Sequence, residues 1–307
     1  MAWPGVLLIG IFFLPESPRW LYAHGKPQKA ANVLTKFHGE DNPDSVYVSL
    51  QMTEFGRELE LQGADKRWWD YRVLFNSRKA RFRTLCACSV PVCASVSGNG
   101  MVGYFLPAML STAGVTNSLQ VLDYNLAQSV LGGFFGCTGA ALVDKFGRRP
   151  IVISGLIAMT ITWACLSAGT AVFSEHQTVA AAKASIAFIM MISVVFPFGF
   201  TALQNLYPVE CFSYEQRAKG MAFQLFALSV SGLIIQFATP VAIGVIGWKL
   251  YPIFAAWNII EAIFLYFVMV ETKGRTLEEI NEIFAADHPR KFSLQKKTLV
   301  VEQVSPK

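Results

Sequence analysis

The sequence predicts an all-α membrane protein, and two observations support that prediction. Hydrophobic residues make up 53% of the 307-residue chain and charged residues only 15%, whereas about 25% of residues in a typical soluble protein are charged. A charged turn at 144–150 also separates two stretches, 127–143 and 151–173, that carry no charged residue. Because Lys, Arg or Asp at the bilayer centre costs roughly 2.5–3.5 kcal/mol, the turn is expected outside the membrane and both flanks inside it.

Six apolar stretches are long enough to cross a bilayer, since a helical crossing needs about 20 apolar residues. They are residues 84–107, 125–143, 151–173, 183–206, 221–246 and 252–270. The first stretch contains Pro91, Gly98, Asn99 and Gly100, so a bent helix that lines a cavity is expected there. The apolar piece at 6–14 is too short to cross by itself.

The basic residues predict the orientation. Of 26 Lys and Arg residues, all but Lys183 and Lys249 lie in the segments 15–83, 144–150, 207–220 and 271–307. The positive-inside tendency therefore makes the segment 15–83 and the C-terminus cytoplasmic, in what is expected to be the plasma membrane. Because these cations flank apolar spans, nucleic-acid binding is not expected.

The polar segment 15–83 is predicted to be a cytoplasmic linker. Helical patterns at 29–37 and 48–61 favour surface helices beneath the membrane, and a solvated linker is the alternative. Residues 271–307 are predicted to form a cytoplasmic C-terminal helix and a tail that is disordered from about residue 285.

Four charged motifs stand at the ends of the predicted spans. They are Pro15-Glu16-Ser17-Pro18-Arg19-Trp20-Leu21, Asp144 to Pro150, Tyr207-Pro208-Val209-Glu210 with Arg217, and Glu271-Thr272-Lys273-Gly274-Arg275. In order and spacing they resemble the signature motifs of the sugar porter family of the major facilitator superfamily. Residues 203–220 are most similar to its fungal lactose permease and hexose transporter branch. The resemblance implies secondary transport of a mono- or disaccharide, with proton symport expected, and no cofactor.

The resemblance also implies a longer architecture. Family members have about twelve spanning helices in two six-helix halves, whereas the first motif begins here at residue 15. Residues 1–14 are therefore expected to be the inner end of the sixth helix, followed by the linker and the C-terminal six-helix half. A missing N-terminal half is the expected structural partner, and transport by this polypeptide alone is not expected.

The motif charges are expected to form a gate at the cytoplasmic side. Acidic and basic groups at helix ends can pair in one conformation and separate in another, which makes them a latch between two states. By motif position the latch candidates are Glu16, Arg19, Asp144, Arg148, Arg149, Glu210, Arg217 and Glu271. The alternative is that these residues only cap helices and set the topology.

A sugar site needs side chains that donate and accept hydrogen bonds, together with an aromatic face for the C–H side of the ring. The family places this site on its seventh, eighth, tenth and eleventh helices, here 84–107, 125–143, 183–206 and 221–246. This sequence departs from the family pattern there. Ala94-Ser95-Val96-Ser97-Gly98 replaces Gln-Gln-x-Ser-Gly, Gly132 stands where asparagine is usual, and Leu228-Ser229 replaces amide or aromatic residues.

Other polar residues remain at membrane depth, so we expect a shifted polar set that recognises a sugar or polyol other than glucose. The candidates are Asn99, Tyr104, Gln128, Gln204, Asn205 and Gln236. For each of them, hydrogen bonding between helices is the alternative role.

Glu261 is an ionisable residue deep in a predicted span, about 15 Å before Glu271 at helical rise. An intramembrane carboxylate suggests proton coupling, and a buried packing group is the alternative.

No enzymatic or metal site is predicted. The six cysteines and four histidines lack zinc-ligand spacing, and no phosphate-binding loop or nucleophile motif is visible. Two alternatives to sugar transport stay open: a sensor-like or regulatory membrane protein that does not transport, and a transporter of a polyol or quinate.

Overall fold

The structure is a computed structural model that describes residues 10–38, 42, 45–62, 69–115, 117–275, 277–286 and 288–294. Regular structure within these residues is helical, and no β-strand occurs among them. The predicted all-α fold is therefore confirmed. The chain divides into two compact units, Met1–Asp70 and Tyr71–Lys307.

The first unit contains helices α1 (Pro18–Ala23), α2 (Pro27–His38) and α3 (Val46–Gln62) among its described residues. Proline begins α1 and α2, a position where its missing N–H breaks no helical hydrogen bond. The patterns predicted at 29–37 and 48–61 lie inside α2 and α3. Of the predicted helix end at 1–14, residues 1–9 lie outside the described residues, and Ile11–Phe13 forms a 3₁₀ turn.

The second unit holds the long apolar helices. They are α4 (Arg78–Val96), α5 (Asn99–Thr112), α6 (Ser118–Phe146), α7 (Arg148–His176), α8 (Val179–Phe196), α9 (Leu203–Cys211), α10 (Tyr214–Ile246) and α11 (Leu250–Val268). A π-helical turn, Pro197–Thr201, connects α8 to α9. Two shorter helices follow, α12 (Leu277–Ala285) and α13 (Pro289–Ser293).

Five helical segments of the described chain are long and apolar enough to cross a membrane. The last, Gln216–Val268, is 53 residues long and contains both α10 and α11, which meet at the 3₁₀ turn Gly247–Lys249. The predicted crossings 221–246 and 252–270 both overlap this last segment, one at α10 and one at α11, and six crossings stay a prediction. Where the chain enters and leaves the bilayer stays a prediction.

The first apolar segment is broken at Ser97 and Gly98, where the sequence predicts a bend. Gly98 has a φ of 97°, and a Cβ added there would lie 2.7 Å from Cζ2 of Trp163. The Ser97 carbonyl accepts hydrogen bonds from Trp163 Nε1 at 3.2 Å and from Asn258 Nδ2 at 3.0 Å. The break between α4 and α5 is therefore held in place by α7 and α11.

The π-helical turn packs tightly because glycines face it. A Cβ added at Gly155 of α7 would lie 3.4 Å from the Cα of Gly199, and one added at Gly136 of α6 would lie 3.7 Å from Pro197. At Gly139 an added Cβ would overlap the backbone carbonyl of Phe198. Small residues allow helix backbones in membranes to approach closely, so these glycines set the position of the turn.

Candidate functional site

A cavity of about 500 Å³ lies among α4, α5, α8, α9 and α10. Its polar lining consists of Ser95, Asn99, Tyr104, Gln204, Ser229 and Gln236. The apolar lining includes the aromatic rings of Phe196 and Phe237. Three amide side chains and several aromatic rings thus face one space.

Two of the three amides are positioned by breaks in the helices. Asn99 is the first residue of α5, directly after the left-handed Gly98. Gln204 is the second residue of α9, just after the π-helical turn. Each amide offers two N–H donors and a carbonyl acceptor, so the cavity suits a small molecule rich in hydroxyl groups.

The structure brings together four of the six predicted binding residues. Asn99, Tyr104, Gln204 and Gln236 line the cavity, whereas Gln128 and Asn205 are not part of its lining. Gln128 Nε2 instead donates to the Val102 carbonyl at 3.4 Å, a contact between α6 and α5. Asn205 is exposed on α9 and is turned from Gln204 by the helical rotation of about 100° per residue.

Four of the positions where the sequence departs from the sugar porter pattern also line the cavity. Ala94 and Ser95 face it from α4, and Leu228 and Ser229 face it from α10. Gly132 does not line it; it faces Pro197 and Ser193. Sequence reasoning missed Phe196, whose signal was its place directly before the proline of the π-helical turn.

A second group of functional candidates forms a charge cluster at the start of α7. Arg148 holds Glu210 in a forked contact, with its Nε 3.1 Å from Oε2 and its Nη2 2.7 Å from Oε1. The Thr272 hydroxyl also donates to Glu210. Arg148 Nη2 contacts Asp144 at 3.0 Å, but the Asp144 side chain is 82% exposed, against 9% for Arg148 and 19% for Glu210. The partly buried pair is thus Arg148–Glu210.

Glu271 caps α7 through backbone hydrogen bonds, and it forms no ion pair with a cationic side chain among the residues that the structure describes. Its Oε1 accepts the backbone N–H of Arg148 at 3.0 Å and its Oε2 accepts that of Arg149 at 3.0 Å. A carboxylate there satisfies free N–H groups and interacts favourably with the helix dipole. Gly147, with a φ of 101°, leaves room for it, since an added Cβ would lie 2.9 Å from Glu271 Oε2.

The other latch candidates differ in their contacts. Arg149 Nη2 donates to the Tyr266 carbonyl at 2.8 Å, and its guanidinium lies 4.7 Å from the Tyr266 ring centre. Arg217 Nε is buried without a hydrogen-bond partner in the described part of the chain. In the first unit, Arg19 lies 5.9 Å over the Phe55 ring, and Glu16 lines a shallow hollow with Trp20.

Glu261 is buried in α11, with 3% of its surface exposed. Trp257 Nε1 donates to its Oε1 at 2.8 Å, and Oε2 has no hydrogen-bond partner among the residues that the structure describes. Glu261 is not part of the cavity lining.

The motifs and the fold agree with a comparison to known families. The family model described as "Sugar (and other) transporter" matches residues 1–284. The chain belongs to this sugar transporter family. The resemblance identified from the four charged motifs is therefore confirmed.

Curated members of the sugar transporter family are similar across most of this chain. A high-affinity glucose transporter of Kluyveromyces lactis is 28% identical over 309 residues, which cover 93% of this chain and 55% of the relative. A high glucose sensor of Saccharomyces cerevisiae is 29% identical over 302 residues, covering 92% of this chain and 38% of the sensor. The chain thus spans about half the length of the glucose transporter, and these relatives are not enzymes.

A solved structure shows the same fold. The proton:xylose symporter XylE, bound to 6-bromo-6-deoxy-D-glucose, superposes with a TM-score of 0.64 at 22% identity, covering 91% of this chain and 56% of XylE. The all-α membrane fold of the major facilitator superfamily is thereby confirmed.

Proposed function

We propose that this chain forms one wall of a secondary sugar transporter that works by alternating access. The observation that supports this is the cavity with amides from Asn99, Gln204 and Gln236 beside aromatic rings. Hydroxyl groups of a sugar need partners that both donate and accept, and its C–H face packs well on a ring. Membership of the sugar transporter family supports the same function.

The transport cycle requires an opposing wall, because alternating access rocks one bundle against another around a shared site. We propose an N-terminal six-helix half as that partner. The relatives, of which this chain covers about half, support this arrangement. The basic residues favour a linker and a C-terminus that are cytoplasmic, and the charge cluster then lies at the inner gate. The proposed location is the plasma membrane.

The substrate is proposed to be a sugar or polyol other than glucose. Ala94, Ser95, Leu228 and Ser229 line the cavity at positions where the family pattern has glutamines or amide and aromatic residues. These two helices therefore offer fewer amide partners to a sugar. Proton symport is the proposed coupling, supported by the similarity to XylE in fold.

The test is uptake by a chimera. The N-terminal half of the Kluyveromyces lactis transporter is joined before residue 1, and the chimera is expressed in yeast that lacks hexose transporters. Labelled glucose, xylose, a disaccharide and a polyol are then offered in turn. We expect saturable uptake of at least one of them, with glucose not preferred.

Two outcomes contradict this proposal in different ways. A chimera that reaches the plasma membrane, binds a sugar and transports none favours the sensor-like alternative, which the similarity to the glucose sensor supports. A correctly folded chimera that neither binds nor transports any of the sugars would show that the cavity is not a sugar site. The 307-residue chain expressed alone serves as the control and is expected to give no uptake.

Substituting the cavity amides is expected to weaken sugar binding. Asn99→Ala and Gln236→Ala each remove an amide that binds a sugar hydroxyl group. The expected loss of binding free energy is about 0.5–1.5 kcal/mol, or roughly 2- to 12-fold in affinity. Titration of the chimera with its best substrate measures the change. Asn125→Ala is the matched control, because Asn125 is an exposed amide on α6 outside the cavity. Equal affinities for all variants would remove the two amides from the site.

Replacing Glu261 by glutamine is expected to leave proton-coupled uptake intact. The side chain is held by Trp257 inside the bundle, away from the cavity lining, so we assign it a packing role. Uptake with and without a protonophore measures coupling, with Glu175→Gln at the exposed end of α7 as control. Uptake that persists but loses its protonophore sensitivity would assign proton coupling to Glu261.

A further inference from the structure

The C-terminal helix α13 is attached directly to the charge cluster through Ser293. The backbone N–H of Glu271 donates to Ser293 Oγ at 3.3 Å, and Ser293 Oγ donates to the Arg290 carbonyl at 2.8 Å. Arg275 Nη2 also reaches the Ser293 carbonyl at 3.4 Å. Ser293 therefore contacts the residue whose carboxylate caps α7.

Arg290 attaches the same helix to the end of α11. Its guanidinium lies 4.4 Å from the centre of the Tyr266 ring and 5.3 Å from that of Phe267. Arg149 also stacks on Tyr266, at 4.7 Å. The ring of Tyr266 is thus shared by a cation of the charge cluster and a cation of α13, so release of α13 alters the surroundings of Arg149.

The sequence of α13 adds a second, independent observation. Arg290 and Lys291 precede Ser293 by three and two positions. Basic side chains in this spacing are recognised by protein kinases whose peptide groove is acidic, through the complementarity of charge that governs such docking. The residue that the kinase would modify is the residue that holds α13 to the charge cluster.

We propose that Ser293 is a phosphorylation site for a protein kinase that selects basic sequences, and that its modification releases α13 from the charge cluster. In the reaction Ser293 Oγ forms a bond to the γ-phosphorus of ATP. The bond from that phosphorus to the bridging oxygen breaks, ADP leaves, and the hydroxyl proton passes to the base of the kinase. In the cell this requires the cytoplasmic placement of the C-terminus, but it is independent of whether the chain transports sugar.

The burial of Ser293 sets the order of events. Only 5% of its surface is exposed, so the kinase acts on molecules in which α13 has detached. A helix of five residues near the end of the described chain opens at low cost relative to the bundle. A phosphate carries about −1.5 to −2 charges at neutral pH. It does not fit the buried position beside Glu271, so the modified helix stays detached.

A second site in the chain provides an internal control. Thr84 also has an arginine, Arg81, three positions before it, but it lies inside the 19-residue helix α4 and is 3% exposed. Its hydroxyl donates to the Leu74 carbonyl at 3.1 Å. Sequence recognition alone would modify both residues, whereas release of a short terminal helix selects Ser293.

The experiment uses the purified 307-residue chain in detergent micelles, ATP and the catalytic subunit of a basic-directed kinase. Mass spectrometry is expected to find phosphate on Ser293 and none on Thr84. Ser293→Ala is expected to lose the modification, and Lys291→Ala to slow it at least 10-fold. Hydrogen exchange of residues 288–294 is expected to speed up at least 10-fold after phosphorylation.

Three results overturn the proposal. A synthetic peptide of residues 286–296 that is not phosphorylated shows that the sequence is not recognised. A peptide that is modified while the folded chain is not shows that α13 does not detach. Phosphorylation with unchanged or slower exchange of residues 288–294 shows that the phosphate is held in place, for example by Arg275, and that release does not follow.

Discussion

Replacement of Gly139 by valine is expected to destabilise the second unit by about 3 kcal/mol, at the upper end of the usual cost of overpacking. The added Cβ would overlap the Phe198 carbonyl in the π-helical turn. That carbonyl belongs to the backbone, so no side-chain rotation can relieve the overlap. Helix α6 would have to separate from the turn, which also carries Gly199 against α7.

Thermal unfolding of the purified chain in detergent, followed by tryptophan fluorescence, measures the effect. A loss of this size lowers the midpoint by roughly 6–12 °C for a unit of this length. Gly133→Val is the matched control: Gly133 lies on the same helix, and nothing lies within 4 Å of an added Cβ. Equal midpoints for the two variants would mean that α6 and the turn are not in close contact.

Removing Arg148 is expected to have the next largest effect. Arg148→Ala leaves Glu210 without its forked partner in a position that is only 19% exposed. Breaking a buried pair by removing one member costs about 3–5 kcal/mol, and partial exposure puts this case near the lower figure. The cap of α7 is kept in this variant, since Glu271 binds the backbone N–H of residue 148.

A double variant tests whether the stability lost in each single variant comes from breaking the Arg148–Glu210 pair. Arg148→Ala with Glu210→Ala is expected to unfold at a higher temperature than the sum of the single losses predicts, because neither charge is left alone. Asp144→Ala is the control, since its contact with Arg148 is at the surface and is worth about 0–1 kcal/mol. Additive single losses, or an Asp144 effect as large as that of Glu210, would contradict the assignment of the Arg148–Glu210 pair.

The sequence predicts the helical framework well because long uncharged stretches can end only at charged or polar residues. The ends are less well predicted. Helix α6 begins at Ser118, seven residues before the predicted start at 125, because Asn117 caps it by accepting the N–H of Leu119 at 3.0 Å. A polar first turn carries no hydrophobic signal, so only the cap marks it.

The π-helical turn is a second feature that the sequence does not predict. The stretch 183–206 reads as one uninterrupted span, yet the chain changes from α to π geometry at Pro197–Thr201. The single proline does not require that change, and the glycines of α6 and α7 that face the turn lie far away in sequence. Consequently the placement of Gln204 in the cavity and of Asn205 outside it could not be predicted.

The charge cluster was also predicted only in part. Motif position placed Arg148 and Glu210 in one set of latch candidates, and in this structure the two side chains are in contact. The role of Glu271 was less predictable, because a carboxylate can bind a guanidinium or free backbone N–H groups, and the choice depends on the geometry of the α7 start. The alternative of helix capping describes Glu271 in this structure, while the latch role of the cluster stays a proposal.

The cap of α7 connects two parts of the chain that are synthesised far apart in time. Glu271 follows Arg148 by 123 residues, and a chain is synthesised from its N-terminus. The backbone N–H groups of Arg148 and Arg149 therefore lack this carboxylate until α8 to α11 have been made. A single side chain thus makes completion of the first turn of α7 depend on a much later part of the chain.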